Sequence, residues 1–432
     1  PDFSAMAVEA IRVDESATEA KVVLLACGGK QVDKVHDGEE AVVVLDVTPF
    51  HAEGGGQVGD TGSINSAMGM VNVESTHKLP NGIIYQQGPV TAGVIAVGDA
   101  VRLQVNSAHH RAVARNHTAT HLLHAALKTV LGDHVNQAGS LVTAERLRFD
   151  FSHFSAVTAE QLAAVEKLVN EVVWANRAVG IEITTQDKAR EMGAMALFGE
   201  KYGNEVRVVS VDDFSMELCG GTHVATTAEI GLFRIVSEAG IGAGLRRIEA
   251  LTGQGAFEYF ARRENVLLET AATLKARPDE IVGKAASLLS NLKDAEREVE
   301  RLHERMAMDA VAEFIVAKRT IHDVSVVAGR VENVDMEGLR KIADRVRDRL
   351  VTGVVVLGAI NGDKVNFVAM VTQDIVARGV HAGNVVKAAA KATGGGGGGR
   401  ADMAQAGGKD VNKIADALEK AVLEIKTQLE KN

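Results

Sequence analysis

Apolar and polar residues alternate in short runs along the first hundred residues. Glycine, aspartate and asparagine separate these runs, which cover residues 21–26, 41–47, 70–73, 83–85 and 100–105. Alternation puts every second side chain on the same face of a strand, and the separating residues are typical of turns. We therefore expect a small antiparallel β-barrel over residues 1–102.

The apolar spacing changes to that of helices after residue 106. One apolar stripe runs from Val113 to Val130 and is ended by Gly132, and a second follows a capping box formed by Thr158 and Gln161. Strand-like runs return at 206–211 and 232–236. This mixture predicts an α+β domain over residues 103–252.

A long helical tract and a final α/β domain follow. Apolar residues recur three or four positions apart at Leu288, Leu292, Ala295, Val299, Leu302 and Met306. Such spacing is typical of a coiled coil or a helical hairpin, and equally of a helix packed on its own domain. We expect a helical linker over 253–319. Strands then alternate with amphipathic helices over 320–432, so the whole chain is predicted to be a multidomain α+β protein.

Composition limits the class of protein. Of 432 residues, 46% are hydrophobic and 24% charged, which is typical of soluble globular proteins. No apolar run is long enough to span a membrane and no signal peptide precedes the barrel, so we expect a cytoplasmic protein without membrane contact. The net charge of −10 argues against whole-surface attraction to nucleic acid but permits a local basic patch. Because the chain begins at Pro1, we expect it to be the carboxyl-terminal part of a longer protein.

Two short motifs together predict a metal site. His117 and His121 are four residues apart, which places both imidazoles on one face of a helix. Cys219 and His223 flank a Gly-Gly pair whose backbone freedom permits a tight loop. Three imidazoles and a thiolate suit zinc, which accepts nitrogen and sulfur ligands in tetrahedral geometry.

The number of ligands leaves the role of this zinc open. Four protein ligands are typical of a structural site, whereas a hydrolytic site keeps one position for water or substrate. Either the ion expands its coordination when substrate arrives, or one ligand is weak. His124, one turn further along the helix, is expected to pack or to orient a ligand.

Several motifs resemble the editing domain of alanyl-tRNA synthetase. They include the runs at 115–127 (RNHTATHLLHAAL) and 147–153 (LRFDFSH), the Thr48-Pro49-Phe50 tripeptide, the glycine-rich run at 54–60, the Cys-Gly-Gly-Thr-His motif at 219–223, and the runs at 231–235 and 244–250. They occur in the family's order from near Val8 to the carboxyl terminus.

This resemblance implies a hydrolase that removes serine or glycine wrongly attached to tRNA(Ala). It implies that His117, His121, Cys219 and His223 hold zinc, and Cys219 is also counted in the catalytic site. The residue that matches Gln137 belongs to the family's editing pocket, and the residue that matches Thr48 contacts the hydroxyl of serine. From its residue type alone, Gln137 could equally be a surface amide.

Glycine-rich segments suggest contacts with tRNA. The run 54–56 could be a hairpin turn or part of the pocket, whereas 240–244 only mimics a dinucleotide-binding loop, and the adjacent Arg246 and Arg247 fit a phosphate-facing edge better. The run of six glycines from Gly394 lies in a basic neighbourhood, so we expect a phosphate-binding nest there. The residues expected to bind tRNA are Arg246, Arg247, Lys387, Lys391, Gly394, Gly396, Gly398 and Arg400.

The resemblance also implies what lies outside this chain. The carboxyl-terminal domain of the family binds tRNA(Ala) and can mediate homodimerisation, whereas ATP and Mg²⁺ are used by an aminoacylation core that this sequence lacks. Two alternatives remain at this point. One is a free-standing trans-editing deacylase, and the other is a non-catalytic tRNA-binding and dimerisation module whose zinc serves only the fold.

Overall fold

The computed structural model describes residues 12–14, 16–195, 203–332 and 334–431. The chain divides into two compact units, Pro1–Thr270 and Ala271–Asn432. The predicted division into four parts at residues 102, 252 and 319 is finer than this, and it stays a prediction. The start of the predicted barrel, residues 1–11, lies outside the described residues.

The first unit begins with strands that close into a barrel. Its strands are β1 (Arg12–Val13), β2 (Glu19–Cys27), β3 (Lys30–Val32), β4 (Lys34–His36), β5 (Glu40–Leu45), β6 (Val47–Thr48), β7 (Gly62–Asn65), β8 (Gly69–Val73), β9 (Ser75–Lys78), β10 (Ile84–Ala96) and β11 (Ala100–Val105). The antiparallel order β11-β7-β8-β10-β5-β2 is closed by pairing between β11 and β2, which gives a six-stranded barrel. The predicted barrel is confirmed.

The alternation in the sequence explains the barrel core. Inward residues such as Val22, Val43, Ile64 and Ile95 are fully buried, while their neighbours along each strand face outward. Removing apolar side chains of this size from water stabilises the fold by roughly 1.5–3 kcal/mol each before entropy losses. The turns lie where glycine and aspartate interrupt the pattern.

An α+β region completes the first unit. Helices α1 (Ser107–Leu131), α2 (Ala159–Trp174) and α3 (Gln186–Glu191) are combined with β12 (Gln137–Val142), β13 (Leu147–Ser152), β14 (Gly180–Thr185), β15 (Glu205–Val211), β16 (Ser215–Leu218), β17 (Phe233–Gly242) and β18 (Leu245–Thr252). One sheet has the order β12-β13-β18-β17 and the other β14-β15-β16. Helix α4 (Gly253–Leu274) runs through the division between the units.

Local sequence signals fix the helix ends in this region. Helix α1 begins after Asn106, whose side chain accepts a hydrogen bond from the backbone N–H of His109, and it ends at Gly132. Helix α2 begins with the predicted capping box of Thr158 and Gln161. The middle of α1 is buried from Asn116 to Leu127, so three of its five histidines, His117, His121 and His124, are enclosed by protein.

The second unit has a six-stranded sheet covered on both faces. Its helices are α5 (Ile281–Val316), α6 (Met336–Leu350), α7 (Gln373–Ala377), α8 (Ala382–Ala392) and α9 (Ile414–Glu430), and its strands are β19 (Arg319–Ile321), β20 (Val324–Glu332), β21 (Val354–Asn361), β22 (Lys364–Val371), β23 (Gly396–Gly399) and β24 (Met403–Gly408). The sheet order is β19-β20-β21-β22-β24-β23, and alternate residues of β21 and β22 contribute to two separate apolar cores. The predicted α/β domain is confirmed.

The apolar stripe of α5 is exposed over most of its length. Leu288, Leu292, Val299 and Leu302 are 43–56% exposed, and only the last turns, at Val311, pack into the core of the second unit. The interpretation of this stripe as a face packed on its own domain is therefore wrong for residues 288–302. An exposed stripe is consistent with the alternative interpretation as a coiled-coil seam.

Two glycine-rich segments are ordinary sheet elements. The segment 240–244 is the last part of β17 and the turn into β18, which agrees with its rejection as a dinucleotide-binding loop. Gly396–Gly399 is an extended edge strand paired with β24. The expected phosphate-binding nest is wrong for these four glycines, because a nest needs backbone N–H groups that converge rather than alternate between the two edges of a strand.

Within the described residues, no helix is long and apolar enough to cross a membrane.

Candidate metal centre

The two predicted metal-binding motifs meet in the first unit. His117, His121, Cys219 and His223 each offer a ligand atom, and these four atoms lie within 4.8 Å of one another. The sulfur of Cys219 is 3.3 Å from Nε2 of His117 and 3.4 Å from Nε2 of His223. Three of the residues are buried and His223 is partly buried. This is the donor set and the spacing that a single tetrahedral metal ion requires.

Neighbouring elements hold both halves of the cluster. His117 and His121 lie one turn apart in the buried middle of α1, while Cys219 directly follows β16. Arg207 on β15 fixes the loop that carries Cys219, because its Nη1 donates hydrogen bonds to the carbonyl oxygens of Cys219 and Gly221 at 2.9 and 2.8 Å. The thiol is thus placed by a sheet and the two imidazoles by a helix.

The glycines of the Cys-Gly-Gly-Thr-His loop matter for close packing and not, as expected from the sequence, for unusual backbone angles. Neither Gly220 nor Gly221 has a positive φ, so the expected need for unusual backbone angles is wrong. Gly221 instead permits close approach, since a Cβ at this position would lie 2.0 Å from Cε1 of His117. A Cβ at Gly220 would meet nothing within 4 Å.

A glutamine from the barrel orients the first imidazole. Nδ1 of His117 lies 2.6 Å from Oε1 of Gln57, which also accepts a 2.9 Å hydrogen bond from the backbone N–H of Thr222. The Nε2 amide of Gln57 donates to the hydroxyl of Thr222 at 3.0 Å, which fixes the orientation of the amide. His117 therefore donates from Nδ1 to this oxygen, and its Nε2 faces the sulfur of Cys219.

The glycine turn before Gln57 delivers this side chain. Reciprocal backbone hydrogen bonds between Gly54 and Gln57 form a tight turn, so the interpretation of 54–56 as a hairpin turn is confirmed. The backbone of Val142 in β12 bonds to Gly56 and Val58 at 2.7 and 3.0 Å. These hydrogen bonds join the turn to β12, in the α+β region that contains the cluster. The turn therefore lies beside the metal centre.

The other imidazoles have oriented partners as well. The hydroxyl of Thr118 donates to the carbonyl oxygen of Ala114, so its oxygen accepts from Nδ1 of His223 at 3.1 Å. Glu217 is 1% exposed; its carboxylate is 3.0 Å from Nδ1 of His124 and 3.8 Å from Nδ1 of His121. Partners of this kind fix the tautomer of metal ligands and raise their basicity.

Charge is concentrated in this buried cluster. Burial alone would raise the pKa of Cys219, but the imidazoles of His117 and His121 hold it well below its usual range, so the sulfur is a thiolate. Burial would lower the pKa of His121, but the charges of Glu217 and Cys219 raise it to about 9. Burial and the neighbouring His117 lower the pKa of His223 to about 3. Without metal, the site thus carries a proton on His121 at neutral pH.

The two residues expected in the substrate pocket lie in the same unit as the cluster, one on β12 and one in the barrel. Gln137 begins β12, is partly buried and pairs with Phe151 of β13. Thr48 is fully buried in the barrel, and its hydroxyl oxygen accepts hydrogen bonds from the backbone N–H of Phe50 and from Nε2 of Gln86. This burial argues against direct contact between Thr48 and a serine hydroxyl. Both assignments stay predictions.

The arginines expected to bind tRNA are already paired with carboxylates. Arg246 forms a double hydrogen bond with Glu238, and Arg247 forms one with Asp150 at 2.7 and 2.8 Å. Their charges are therefore largely neutralised by neighbours on the sheet. A contact with phosphate stays a prediction for both.

The basic residues of the second unit are more accessible. Lys387 and Lys391 are exposed and lie four residues apart on α8, so they share one helix face. Arg400 is exposed beside Asp402 at 3.2 Å. Gly394, at φ +67°, lies in the short connection between α8 and β23. Gly396 and Gly398 lie in the exposed edge strand β23. Binding of tRNA by this surface is likewise untested.

The residues that orient the ligands are not evident from the sequence. Gln57, Thr118 and Glu217 each contact an imidazole of the cluster, but no spacing rule connects Gln57 with a histidine 60 residues away. Glu217 does carry a signal, since it lies two residues before Cys219 and would point to the same side of a strand.

Comparisons with known proteins identify the class. Residues 4–109 match the family of class II tRNA synthetases, residues 206–249 match the threonyl and alanyl tRNA synthetase second additional domain, and residues 323–427 match the DHHA1 domain. The fold and the cluster thus belong to an aminoacyl-tRNA synthetase with an additional domain of the editing type.

Individual relatives narrow this class. The chain is 48% identical to alanine–tRNA ligase of Bacillus subtilis over 94% of its own length and 46% of that protein, and 47% identical to that of Acetivibrio thermocellus over 96% and 47%. A solved C-Ala domain of Aquifex aeolicus alanyl-tRNA synthetase is 37% identical, covering 25% of this chain and 97% of that one with a TM-score of 0.24. The chain belongs to the alanyl-tRNA synthetase family and corresponds to its carboxyl-terminal portion. It spans about half the length of the curated relatives it matches.

Proposed function

We propose that this chain is the editing and tRNA-binding portion of an alanyl-tRNA synthetase, and that it hydrolyses Ser-tRNA(Ala) and Gly-tRNA(Ala) with the help of zinc. The observation that carries the proposal is the cluster of His117, His121, Cys219 and His223 within 4.8 Å. The cluster lies in the unit that contains the match to the second additional domain.

Zinc fits the donor set better than harder cations. A thiolate is a soft ligand, imidazoles suit zinc and copper, and calcium or magnesium would require oxygen ligands. The raised pKa of His121 means that a bound divalent ion would displace the proton of this imidazole and place a stronger positive charge beside Cys219 and Glu217.

The residues of this chain provide binding and orientation. Gln57 and Thr118 hold two imidazoles with Nε2 directed at the cluster, and Glu217 provides the negative charge behind His121. When bound, zinc would supply a positive charge that orients the ester or stabilises charge on its carbonyl oxygen. Gln137 is assigned to the wall of the pocket, and its partial burial leaves it surface with which to contact a substrate.

A closed set of four protein ligands favours a second role for the zinc. Structural zinc sites usually have four protein ligands, so zinc could serve only the fold of a non-catalytic tRNA-binding module. The two roles make different predictions, because loss of structural zinc unfolds a domain whereas loss of catalytic zinc leaves it folded. A free-standing trans-editing deacylase would have the same site and the same chemistry.

The remaining proposals concern the whole protein. We assign tRNA(Ala) binding to the exposed cations Lys387, Lys391 and Arg400 of the second unit, with Gly394, Gly396 and Gly398 between them. We assign homodimerisation to the carboxyl-terminal part of the chain. Aminoacylation with ATP and Mg²⁺ is assigned to the rest of the full-length protein. The cytoplasm is the proposed location of that protein.

The direct test compares serine release by the wild-type chain and by Cys219→Ala. Purified protein is incubated with Ser-tRNA(Ala) and the remaining ester is measured over time, while circular dichroism follows folding. We expect release to fall at least about 100-fold in Cys219→Ala with the secondary structure retained. Undiminished release would exclude the cluster from the reaction, and simultaneous unfolding would favour the structural role. Cys27→Ala, which changes the other cysteine, is the matched control.

A further inference from the structure

A phenylalanine stands almost free of the protein at the end of strand β13. Phe154 is 90% exposed, more than any other large hydrophobic side chain of the described residues. Single exposed apolar residues are common on protein surfaces and need no explanation by themselves. Phe154 differs because the imidazole of His134 lies beside its ring, and His134 is in turn hydrogen-bonded to the imidazole of His153.

These imidazoles form one flat surface. Nε2 of His134 and Nδ1 of His153 are 2.8 Å apart, and the two ring planes are inclined by only 23°. A hydrogen bond between ring edges with nearly parallel planes places both rings side by side, not face to face. The ring of Phe154 is also nearly parallel to that of His134, at 21° and with a centroid separation of 6.4 Å. Three flat rings thus share one orientation.

The backbone around the rings fixes this arrangement. The N–H of His153 donates to the carbonyl oxygen of Gly244, in the turn of the β17–β18 hairpin, at 2.9 Å. A Cβ at Gly244 would touch the ring of Phe154 at 3.6 Å, so the hairpin supports this ring from one side. Nε2 of His153 is also 3.2 Å from the hydroxyl of Ser155. The three rings lie in the two loops that flank β12 and β13, and the hydrogen bonds of His153 to Gly244 and Ser155 hold one of these loops.

Strand β13 connects the three rings with the metal centre. Phe149, at its buried part, packs on His124 with ring centroids 5.2 Å apart, and His124 shares Glu217 with the metal-binding residue His121. From Phe149 to His153 the strand advances about 13 Å at roughly 3.3 Å per residue. Strand β13 therefore runs from a residue packed beside the metal centre to the residue that precedes His153.

The charges near the rings favour stacking over phosphate binding. Arg246, whose charge acts on His153, is paired with Glu238 by a double hydrogen bond. Burial, together with the nearby His134 and Arg246, lowers the pKa of His153, which keeps this imidazole neutral at neutral pH. An exposed flat surface can recognise another flat group, and unpaired nucleobases are recognised by stacking on aromatic side chains.

We propose that Phe154 and the His134–His153 pair form a stacking platform for an unpaired nucleobase near the 3′ end of the tRNA. This inference rests on the proposed function, since it requires that the acylated end of a tRNA reaches the metal centre. The platform holds the single-stranded end on the protein while the terminal nucleotide lies at the cluster. Phe154 is a positioning residue in this account, and it does not touch the ester.

The test uses the full chain and an uncharged RNA hairpin that ends in single-stranded CCA, with 2-aminopurine replacing single bases of this end in turn. Stacking quenches the fluorescence of this base analogue, which reports binding without any hydrolysis. We expect Phe154→Ala to weaken the Kd by about 5-fold or more and to abolish the quenching at one position. Phe154→Tyr, which keeps the ring, should behave like the wild type.

A matched control is an exposed aromatic residue outside the platform. Trp174, at the end of α2, is 68% exposed, and Trp174→Ala should change neither Kd nor quenching. In hydrolysis of Ser-tRNA(Ala), Phe154→Ala should raise KM with kcat unchanged. An unchanged Kd in Phe154→Ala, or an equal loss in Trp174→Ala, would overturn the proposal. Binding and quenching by a wild-type chain that releases no serine would instead contradict the proposed function and leave the platform intact.

Discussion

Nδ1 of His117 donates a 2.6 Å hydrogen bond to Oε1 of Gln57, which precedes it by 60 residues and lies outside the helix and the loop that hold the metal ligands. The same oxygen accepts from the backbone of Thr222, between the ligands Cys219 and His223. One amide of the barrel therefore contacts both halves of the cluster. The barrel is thus part of the metal centre and more than a neighbouring domain.

Removal of this amide should weaken metal binding. In Gln57→Ala, His117 loses the acceptor that fixes its tautomer, and we expect zinc affinity to fall about 10- to 100-fold. Competition with a coloured chelator measures this change. Gln104→Ala, an exposed glutamine on β11, should bind zinc like the wild type. Equal affinity of Gln57→Ala and wild type would show that the hydrogen bond does not support the site.

The Gly-Gly pair offers a sharper comparison. Gly221→Ala would place a Cβ 2.0 Å from the ring of His117, so either the loop or the imidazole must move. We expect loss of most zinc binding, measured as bound metal per chain after dialysis. Gly220→Ala differs by one position and meets nothing, so its metal content should equal that of the wild type. Equal metal content in the two variants would contradict this account of the loop.

Zinc affinity should depend on pH through His121. The raised pKa of about 9 means that this imidazole is protonated at pH 7 in the metal-free chain, and zinc must displace that proton. The apparent affinity should therefore rise by about tenfold per pH unit between pH 7 and pH 9 and level off above. His223, with a pKa of about 3, contributes no proton in this range. Chelator competition across these pH values provides the measurement.

Glu217 provides a variant for the same experiment. Its carboxylate is the main group that raises the pKa of His121, so Glu217→Gln should make zinc affinity nearly independent of pH between 7 and 9. The affinity itself should also be lower, since the negative charge behind the ligand is lost. A pH profile that is unchanged in Glu217→Gln would show that another group holds the proton.

The metal-binding residues can be predicted from the sequence, but the residues that orient them cannot. His117 and His121 follow from helical spacing, and the Cys219–His223 pair from its motif, because both are local patterns with known geometry. The contacts of Gln57 and Thr118 depend on how the barrel and the loop pack against α1, and such tertiary contacts leave no period in the sequence. The role of Gly221 was likewise missed, since close approach of a distant ring cannot be deduced from a Gly-Gly pair.

In the fold, too, local patterns are predictable from the sequence, whereas pairings between distant segments are not. Alternation in β2 and β5 predicted strands that the structure contains, and the capping box at Thr158 marked the start of α2. The glycine run from Gly394 predicts a nest because it lies among basic residues, whereas pairing with β24 makes Gly396–Gly399 a strand. Sheet pairing supplies hydrogen bonds that override the low strand propensity of glycine.

The most direct test of the account is restoration of hydrolysis by zinc. The chain is stripped of metal with a chelator, zinc is added in measured amounts, and serine release from Ser-tRNA(Ala) is recorded together with circular dichroism. We expect release to rise in proportion to bound zinc and to level off at one ion per chain, while the circular dichroism stays unchanged throughout. Full hydrolysis by the metal-free, folded chain would contradict the central claim that the His117, His121, Cys219 and His223 cluster is the editing site.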